Sequence, residues 1–254
     1  MTLLAHTITG EGPHAVLLLH GFLGSGRNLS SLARRWSAAD PSLRIILPDL
    51  TGHGTSPPLP PQADLTTLAR DALALVHTLN VVPHWVGHSL GGRVALQARL
   101  LDPAAVPRIT LLDIAPGALP VGDGVVETLV DAPDHAPDRA TIHAFLTARG
   151  IPEGIAQWLM MNLKRDDSGV RWNVDRLALL RLRLTGNTQD LWPAVESGGG
   201  NITVLRGGDS GYVRDEDVER LHRAGVVTHT LQNAGHFIHM DAPDVLLQLL
   251  LSGA

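Results

Sequence analysis

The chain of 254 residues contains no cysteine, and only 18% of its residues are charged. Without cysteine it forms no disulfide and offers neither a cysteine nucleophile nor a cysteine metal ligand. The net charge of −5 is mild and the basic residues are scattered, which argues against a nucleic-acid partner. Its most apolar segments, such as Val16–Leu19 and Val245–Leu251, are far shorter than the about 20 residues of a membrane span.

The N-terminus also lacks a positively charged region followed by a long apolar stretch. No signal peptide is therefore expected, and we predict a cytoplasmic protein without a membrane span. A chain of this length buries roughly 70–75% of its unfolded surface, so a full hydrophobic core needs no disulfide or metal. The length fits one large α/β domain, or one domain that carries an insertion.

Short apolar runs alternate with longer amphipathic stretches, which predicts a mostly parallel sheet flanked by helices. Buried strands are expected at 15–19, 44–47 and 109–112, and a helix at 64–79. Glycine, proline and aspartate then crowd 116–138, and helical patterns follow at 139–149, 152–163 and 174–184. We therefore predict a core formed by residues 1–115 and 195–254, and an inserted helical cap of residues 116–194, called the cap segment below.

The pentapeptide Gly87-His88-Ser89-Leu90-Gly91 lies between a short apolar run and a helical pattern. A strand that ends in G-x-S-x-G and turns at once into a helix is typical of a nucleophile elbow. The small residues are needed because the serine has a strained backbone and a Cβ at either flank would collide with the strand or the helix. We predict Ser89 to be a nucleophile.

A serine nucleophile needs a general base, and the base needs an orienting acid. His236 follows the last predicted strand beside Gly235, in a loop that returns over Ser89. The developing oxyanion needs two donors. We expect them to be the backbone N–H groups of Leu90 and of Phe22, which lies in the loop after the first buried strand.

Four motifs, HGFLGSG, LPDLTGHGTS, VGHSLGGRVAL and NAGHF, occur in an order and spacing that resemble the α/β-hydrolase superfamily. The segments LLDIAPG, NLKRDDSGVRWNVD and LRGGDSGYV further resemble the YbfF-type esterases. The resemblance implies an α/β-hydrolase fold with a helical cap and a serine esterase. It also implies that Asp113 is the acid of the triad and that Ser210 assists the histidine.

The residues themselves leave two candidates for the acid. Ser210 aligns best with the site after the seventh strand where most of the superfamily has its acid, but a hydroxyl cannot carry the charge. Asp209 lies one position away, and a one-residue shift in a loop would bring it into place. Asp113 directly follows a strand at the same sheet edge and needs no shift, so we favour Asp113 over Asp209.

The cap segment supplies Trp158 and Met161 to a predicted apolar acyl pocket, to which His88 and Phe237 also contribute. A methionine suits such a pocket because its side chain adapts to varied chain shapes. The histidines and aspartate at 236–241 lack further grouped ligands, so we expect no metal and no cofactor. The expected partner is a small-molecule ester or thioester; the sequence does not specify the oligomeric state.

We therefore predict a serine hydrolase that cleaves carboxylic esters, with thioesters as a further candidate substrate, through an acyl-enzyme on Ser89. The alternative is a lyase on the same fold, the SHCHC synthase of menaquinone biosynthesis, in which Arg93 would help to bind a polyanionic substrate. A non-enzymatic ligand-binding protein is a third possibility, because the fold also serves as a receptor. An intact Ser89 and His236 pair disfavours that third possibility.

Overall fold

The computed structural model describes residues 3–119, 124–197 and 199–253. Its strands are β1 (His6–Thr9), β2 (His14–Leu19), β3 (Leu43–Pro48), β4 (His84–His88), β5 (Arg108–Leu112), β6 (His135–Ala136), β7 (Leu163–Asp166), β8 (Gly169–Trp172), β9 (Ile202–Gly207) and β10 (Val227–Leu231). Its α-helices are α1 (Ser30–Ala39), α2 (Leu65–Thr78), α3 (Leu90–Leu101), α4 (Val125–Asp131), α5 (Arg139–Thr147), α6 (Glu153–Leu159), α7 (Arg176–Thr188), α8 (Trp192–Glu196), α9 (Asp215–Arg223), α10 (Ile238–Asp241) and α11 (Pro243–Leu251).

Seven strands form one sheet in the order β1-β3-β2-β4-β5-β9-β10. Only β1 in this sheet runs antiparallel to its neighbour, which is β3. Strand β4 is central, and its Gly87 pairs with Leu19 on one side and Leu111 on the other. Because the other six strands are parallel, their carboxyl ends meet at one edge, where ligands bind in open α/β sheets.

Both faces of this sheet are covered, as the continuous apolar runs predict. Helices α2 and α3 pack on one face, and α1 and α11 pack together on the other. Leu17 and Leu18 are adjacent in β2 and fully buried, and they belong to the two different core clusters. Helix α2 begins at a capping residue, Asp64, whose side chain accepts a hydrogen bond from Thr67 N at 2.8 Å.

Between β5 and β9 the chain forms helices α4 to α8 and a second sheet, with the order β6-β8-β7. The helices agree with the sequence prediction for this region, but that prediction contained no strands. Strands β7 and β8 are four residues long, and β7 has three exposed residues, so neither forms an apolar run that a sequence pattern detects. The boundaries of the cap segment stay a prediction.

The described part of the cap segment shares a hydrophobic core with one face of the large sheet. Leu129, Leu146, Leu159 and Leu182 are buried in the same cluster as Leu17 of β2. The described cap helices therefore share one core with the large sheet and do not form a core of their own. No helix among residues 3–119, 124–197 and 199–253 is long and apolar enough to cross a membrane.

Candidate active site

Ser89 lies in the turn between β4 and α3 with φ 51° and ψ −115°. A residue other than glycine pays about 1–3 kcal/mol for such a conformation, so the surrounding packing must impose it. An added Cβ at Gly91 would lie 2.5 Å from Leu19 O, and one at Gly87 would lie 2.4 Å from the carbonyl carbon of Gly91. The two flanking glycines therefore allow the turn that presents Ser89.

Asp113 directly follows β5 and is fully buried, and it also has a left-handed backbone, with φ 51°. Its Oδ1 accepts a hydrogen bond from Gly207 N at 2.8 Å, and its Oδ2 accepts one from Ser210 Oγ at 2.5 Å. Its own N–H donates to Leu205 O at 2.8 Å. A buried carboxylate requires such partners, and these come from the neighbouring strand β9 and the loop after it.

His236 lies in the loop after β10, and its Nδ1 is 2.7 Å from Asp113 Oδ2. The carboxylate can only accept, so Nδ1 carries the hydrogen and Nε2 is left with its lone pair. The aromatic ring of Tyr212 stacks on the imidazole, with ring centroids 3.8 Å apart and planes 16° apart. His236 and Ser89 both line the cavity described below.

Of the two acid candidates, the structure brings Asp113 to His236. The side chain of Asp209 is exposed, and its backbone N–H donates to Ala234 O at 2.9 Å. Ser210 meets Asp113 at Oδ2, the same oxygen that contacts His236. Its hydroxyl thus contacts the histidine only through the carboxylate.

Phe22 lies in a loop that rests against Ser89, since a Cβ at Gly21 would be 3.4 Å from Ser89 Cβ. The carbonyl of Gly21 accepts hydrogen bonds from Gly24 N at 3.0 Å and from His20 Nδ1 at 2.7 Å. In a trans peptide the C=O and N–H groups point in opposite directions. The Phe22 N–H therefore points away from these two donors.

Leu90 is the first residue of α3, so its N–H has no acceptor within the helix. It also lies at the positive end of the helix dipole, directly after Ser89. The backbone N–H groups of Phe22 and Leu90 are thus the two candidate donors beside Ser89.

Three buried histidines, His20, His53 and His88, and the half-buried His239 surround these groups. His20 Nε2 accepts a hydrogen bond from Leu50 N at 2.9 Å, and burial lowers the pKa of His20 to about 4. His88 Nε2 lies 2.9 Å from His236 O, and burial holds the pKa of His88 well below its usual value. Burial likewise lowers the pKa of His53 to about 3 and that of His239 to about 4. These side chains are therefore neutral at neutral pH.

The site opens into a cavity of about 220 Å³ with a mostly apolar lining. Of the predicted pocket residues, His88, Trp158 and Phe237 line it. The side chain of Met161 is instead 58% exposed, and its Sδ lies 3.7 Å from Asn28 Nδ2. The cap segment contributes further apolar side chains, which include Leu119, Val125, Ile155 and Leu182.

Tyr212, His20 and His239 line the cavity, and sequence reasoning gave them no role. His20 directly precedes Gly21 in the HGFLGSG motif, and Tyr212 is the only tyrosine of the chain. These two sequence features distinguish His20 and Tyr212, whereas no such feature distinguishes His239. Within the described ranges, no group of three or more histidine and acidic side chains is arranged to hold a metal ion.

A family model described as the Alpha/beta hydrolase family matches residues 16–249. The chain therefore belongs to the alpha/beta hydrolase family, as the sequence motifs predicted. A solved structure named Marine microorganism esterase superposes with a TM-score of 0.86 at 22% identity, covering 100% of both chains. This likeness confirms the predicted fold.

Named relatives agree with the family. The chain is 29% identical to the sn-1-specific diacylglycerol lipase ABHD11 of Mus musculus, over 94% of this chain and 80% of that protein. It is 28% identical to Esterase Rv0045c of Mycobacterium tuberculosis, over 95% and 82%. Esterase YbfF of Escherichia coli is 27% identical, over 92% and 91%. These similarities confirm the predicted class of enzyme, a carboxylic-ester hydrolase.

Proposed function

We propose that the protein hydrolyses small carboxylic esters, and thioesters of similar size, through an acyl-enzyme on Ser89. The observation that carries this proposal is the 2.7 Å contact of His236 Nδ1 with the buried carboxylate of Asp113. It leaves Nε2 of the imidazole as a base in the cavity that Ser89 also lines. Such an arrangement has no use in a protein that only binds its ligand.

In the first half of the reaction Ser89 Oγ attacks the carbonyl carbon of the ester, and His236 Nε2 takes the hydroxyl proton. The imidazolium that forms is stabilised by the carboxylate of Asp113. The carbonyl oxygen becomes an oxyanion, which the N–H groups of Phe22 and Leu90 stabilise. His236 then donates its proton to the leaving alkoxide or thiolate, and the ester bond breaks to leave acylated Ser89.

In the second half a water molecule attacks the acyl carbon while His236 again takes a proton. The tetrahedral intermediate collapses, the carboxylic acid leaves, and the proton returns to Ser89 Oγ. Ser210 donates to Asp113 Oδ2 throughout and fixes the carboxylate in the orientation that His236 needs. Ser210 is thus a positioning residue in this mechanism, as the resemblance implied.

The lining of the cavity supports small or medium apolar acyl groups. Its volume of about 220 Å³ lies below the usual range of about 300–1,000 Å³ for drug-sized ligands. The described residues that line it include Trp158, Ile155 and Leu182, and none of them is an aspartate or a glutamate. A long acyl chain therefore has to extend beyond this cavity.

The lyase alternative depends on Arg93 as a ligand for a polyanionic substrate. Arg93 Nη1 donates to Gly117 O at 2.7 Å, and Nη2 donates to Gly186 O at 2.9 Å. Burial lowers the pKa of Arg93 to about 10, so the group stays charged at neutral pH. Both terminal nitrogens are already engaged by backbone carbonyls, which favours the hydrolase.

The proposal is tested by comparing Ser89→Ala with Ser252→Ala, an exposed serine near the C-terminus. We expect Ser89→Ala to abolish turnover of p-nitrophenyl esters and acyl thioesters, and Ser252→Ala to retain it. A fluorophosphonate should add one label, on the peptide that contains Ser89. Ester turnover that survives Ser89→Ala, or a label on another serine, would refute the acyl-enzyme.

A further inference from the structure

A cap residue, Asn162, contacts the loop that carries Phe22. It ends the 3₁₀ turn Met160–Asn162 and is half-buried. Its Nδ2 donates to Leu23 O at 2.9 Å and to Leu159 O at 3.2 Å. Asn162 does not line the cavity. Its contact with the site is therefore indirect, through the backbone of the loop.

The loop residue that receives this hydrogen bond has an unfavourable backbone conformation. Leu23 has φ 58° and a buried side chain. A residue with a Cβ keeps this left-handed conformation only when its surroundings impose it. The donor from Asn162 is one of the contacts that impose it, because it fixes the carbonyl of the peptide unit between Leu23 and Gly24.

Two peptide units connect this carbonyl with the proposed oxyanion donor. The unit between Leu23 and Gly24 accepts from Asn162 at its C=O, and its N–H donates to Gly21 O at 3.0 Å. Gly21 O belongs in turn to the unit whose N–H is that of Phe22. Each hydrogen bond in such a chain polarises the next one, and all the dipoles here point in the same direction.

We propose that Asn162 is a positioning residue of the oxyanion hole, through which the cap segment orients and polarises the Phe22 N–H. The inference rests on the proposed function of Phe22. It makes turnover depend on one side-chain amide of the cap that does not touch the substrate. When the cap is in place the donor is aligned, and when this hydrogen bond is absent the loop loses one of its constraints.

The chain offers a matched control in Asn173. This second half-buried cap asparagine donates from Nδ2 to Gly54 O at 2.9 Å. This hydrogen bond has the same donor atom, the same length and the same type of acceptor as the bond from Asn162 to Leu23, but its acceptor lies in a different core loop. Asn162→Ala and Asn173→Ala therefore each remove one hydrogen bond between cap and core, and only the first touches the Phe22 loop.

We expect Asn162→Ala to lower kcat for p-nitrophenyl butyrate about tenfold. This loss is smaller than the decrease in kcat of about 10²–10³ that follows removal of an oxyanion-hole donor itself. The KM should change less than about twofold, because the cavity lining is intact. Inhibition by a trifluoromethyl ketone, whose serine adduct carries an oxyanion, should weaken by about the same factor as kcat/KM falls. Asn173→Ala should leave all three quantities near those of the wild type.

Asn162→Asp is a second variant of nearly the same size, and its ionised carboxylate cannot donate. It should lower kcat at least as much as Asn162→Ala, with circular dichroism and Tm as checks of folding. Unchanged kcat in a folded variant, a change confined to KM, or equal losses in the Asn162 and Asn173 variants would overturn the inference. If Ser89→Ala is inactive while these outcomes occur, only the role of Asn162 fails and the proposed function stands.

Discussion

At the carboxyl edge of the large sheet, Ser89 and Asp113 each have a left-handed backbone directly after a strand. In the described part of the cap segment, only glycines have a positive φ. The core thus positions these two residues with a strained backbone, which hydrogen bonds to the neighbouring strands keep in place. The cap contributes mainly apolar side chains from helices, and its geometry stores no comparable strain.

The attachment of the two regions also differs in kind. Strands of the large sheet are joined by ladders of main-chain hydrogen bonds, whereas the polar links between cap and core come from single side chains. Among the described residues these links include Arg93 to Gly117 and Gly186, Gln189 to Gln97, Asn162 to Leu23, and Asn173 to Gly54. A single substitution can therefore loosen the cap, and the geometry around Asp113 and His236 should survive it.

The largest effect is expected where the core is perturbed. Asp113→Asn should lower kcat for esters by about 10³–10⁴, because the amide can hold His236 in the wrong tautomer. Asp209→Asn is the matched control and should cost little, since that side chain is exposed. Steady-state ester assays on both variants decide the assignment. The reverse order of effects would move the acid to Asp209.

A smaller effect is expected at the attachment of the cap. Arg93→Met leaves the carbonyls of Gly117 and Gly186 without this donor, which should lower the free energy of unfolding by about 2–4 kcal/mol. Arg99 on the same helix is the control, because its Nη1 donates at 3.2 Å to Val106 O within the core. Hydrogen exchange should show faster exchange across the cap in Arg93→Met only. Equally fast exchange across the cap in Arg93→Met and in the control variant Arg99→Met would contradict the proposal that Arg93 attaches the cap.

The smallest effect per group concerns acid stability of the core. Burial lowers the pKa of His20 to about 4 and those of His53 and His84 to about 3, below the about 6.5 of an unfolded chain. The unfolded chain therefore binds more protons between about pH 6.5 and about pH 4, and the free energy of unfolding falls as the pH falls. Each histidine contributes at most about 1.4 kcal/mol per pH unit.

Urea unfolding at about pH 7.5 and about pH 5 measures this dependence. His84→Gln should reduce the difference between the two free energies of unfolding by the contribution of one histidine. The control is His222→Gln, which changes an exposed histidine. An equal pH dependence in the wild type and His84→Gln would contradict the burial of a neutral imidazole at this position.

Much of the core was readable from sequence because its elements carry local signals. The leucine run of β2 and the G-x-S-x-G turn at Ser89 follow from hydrophobicity and from the small size of glycine, and the fold they predicted is confirmed. The roles of Ser89, His236 and Asp113 stay predictions, although the structure brings Asp113 and His236 into contact. The sequence favoured Asp113 over Asp209, but both follow strands, and only the structure shows which of them contacts His236.

The cap was less readable because its features depend on contacts between distant segments. Strands β7 and β8 are too short and too polar to form a recognisable pattern. Met161 lies on the same helical pattern as Trp158, yet the 3₁₀ turn after α6 leaves Met161 exposed while Trp158 lines the cavity. The bond from Asn162 to Leu23 spans 139 residues, and no local signal encodes it.

The stacking of Tyr212 on His236 provides a built-in spectroscopic reporter. Tyr212 is the only tyrosine of the chain, so a sample labelled isotopically at tyrosine alone gives the NMR signals of one ring. That ring lies 3.8 Å from the imidazole that exchanges protons in the proposed reaction. Its chemical shift therefore follows the protonation of one histidine among thirteen, without any added probe.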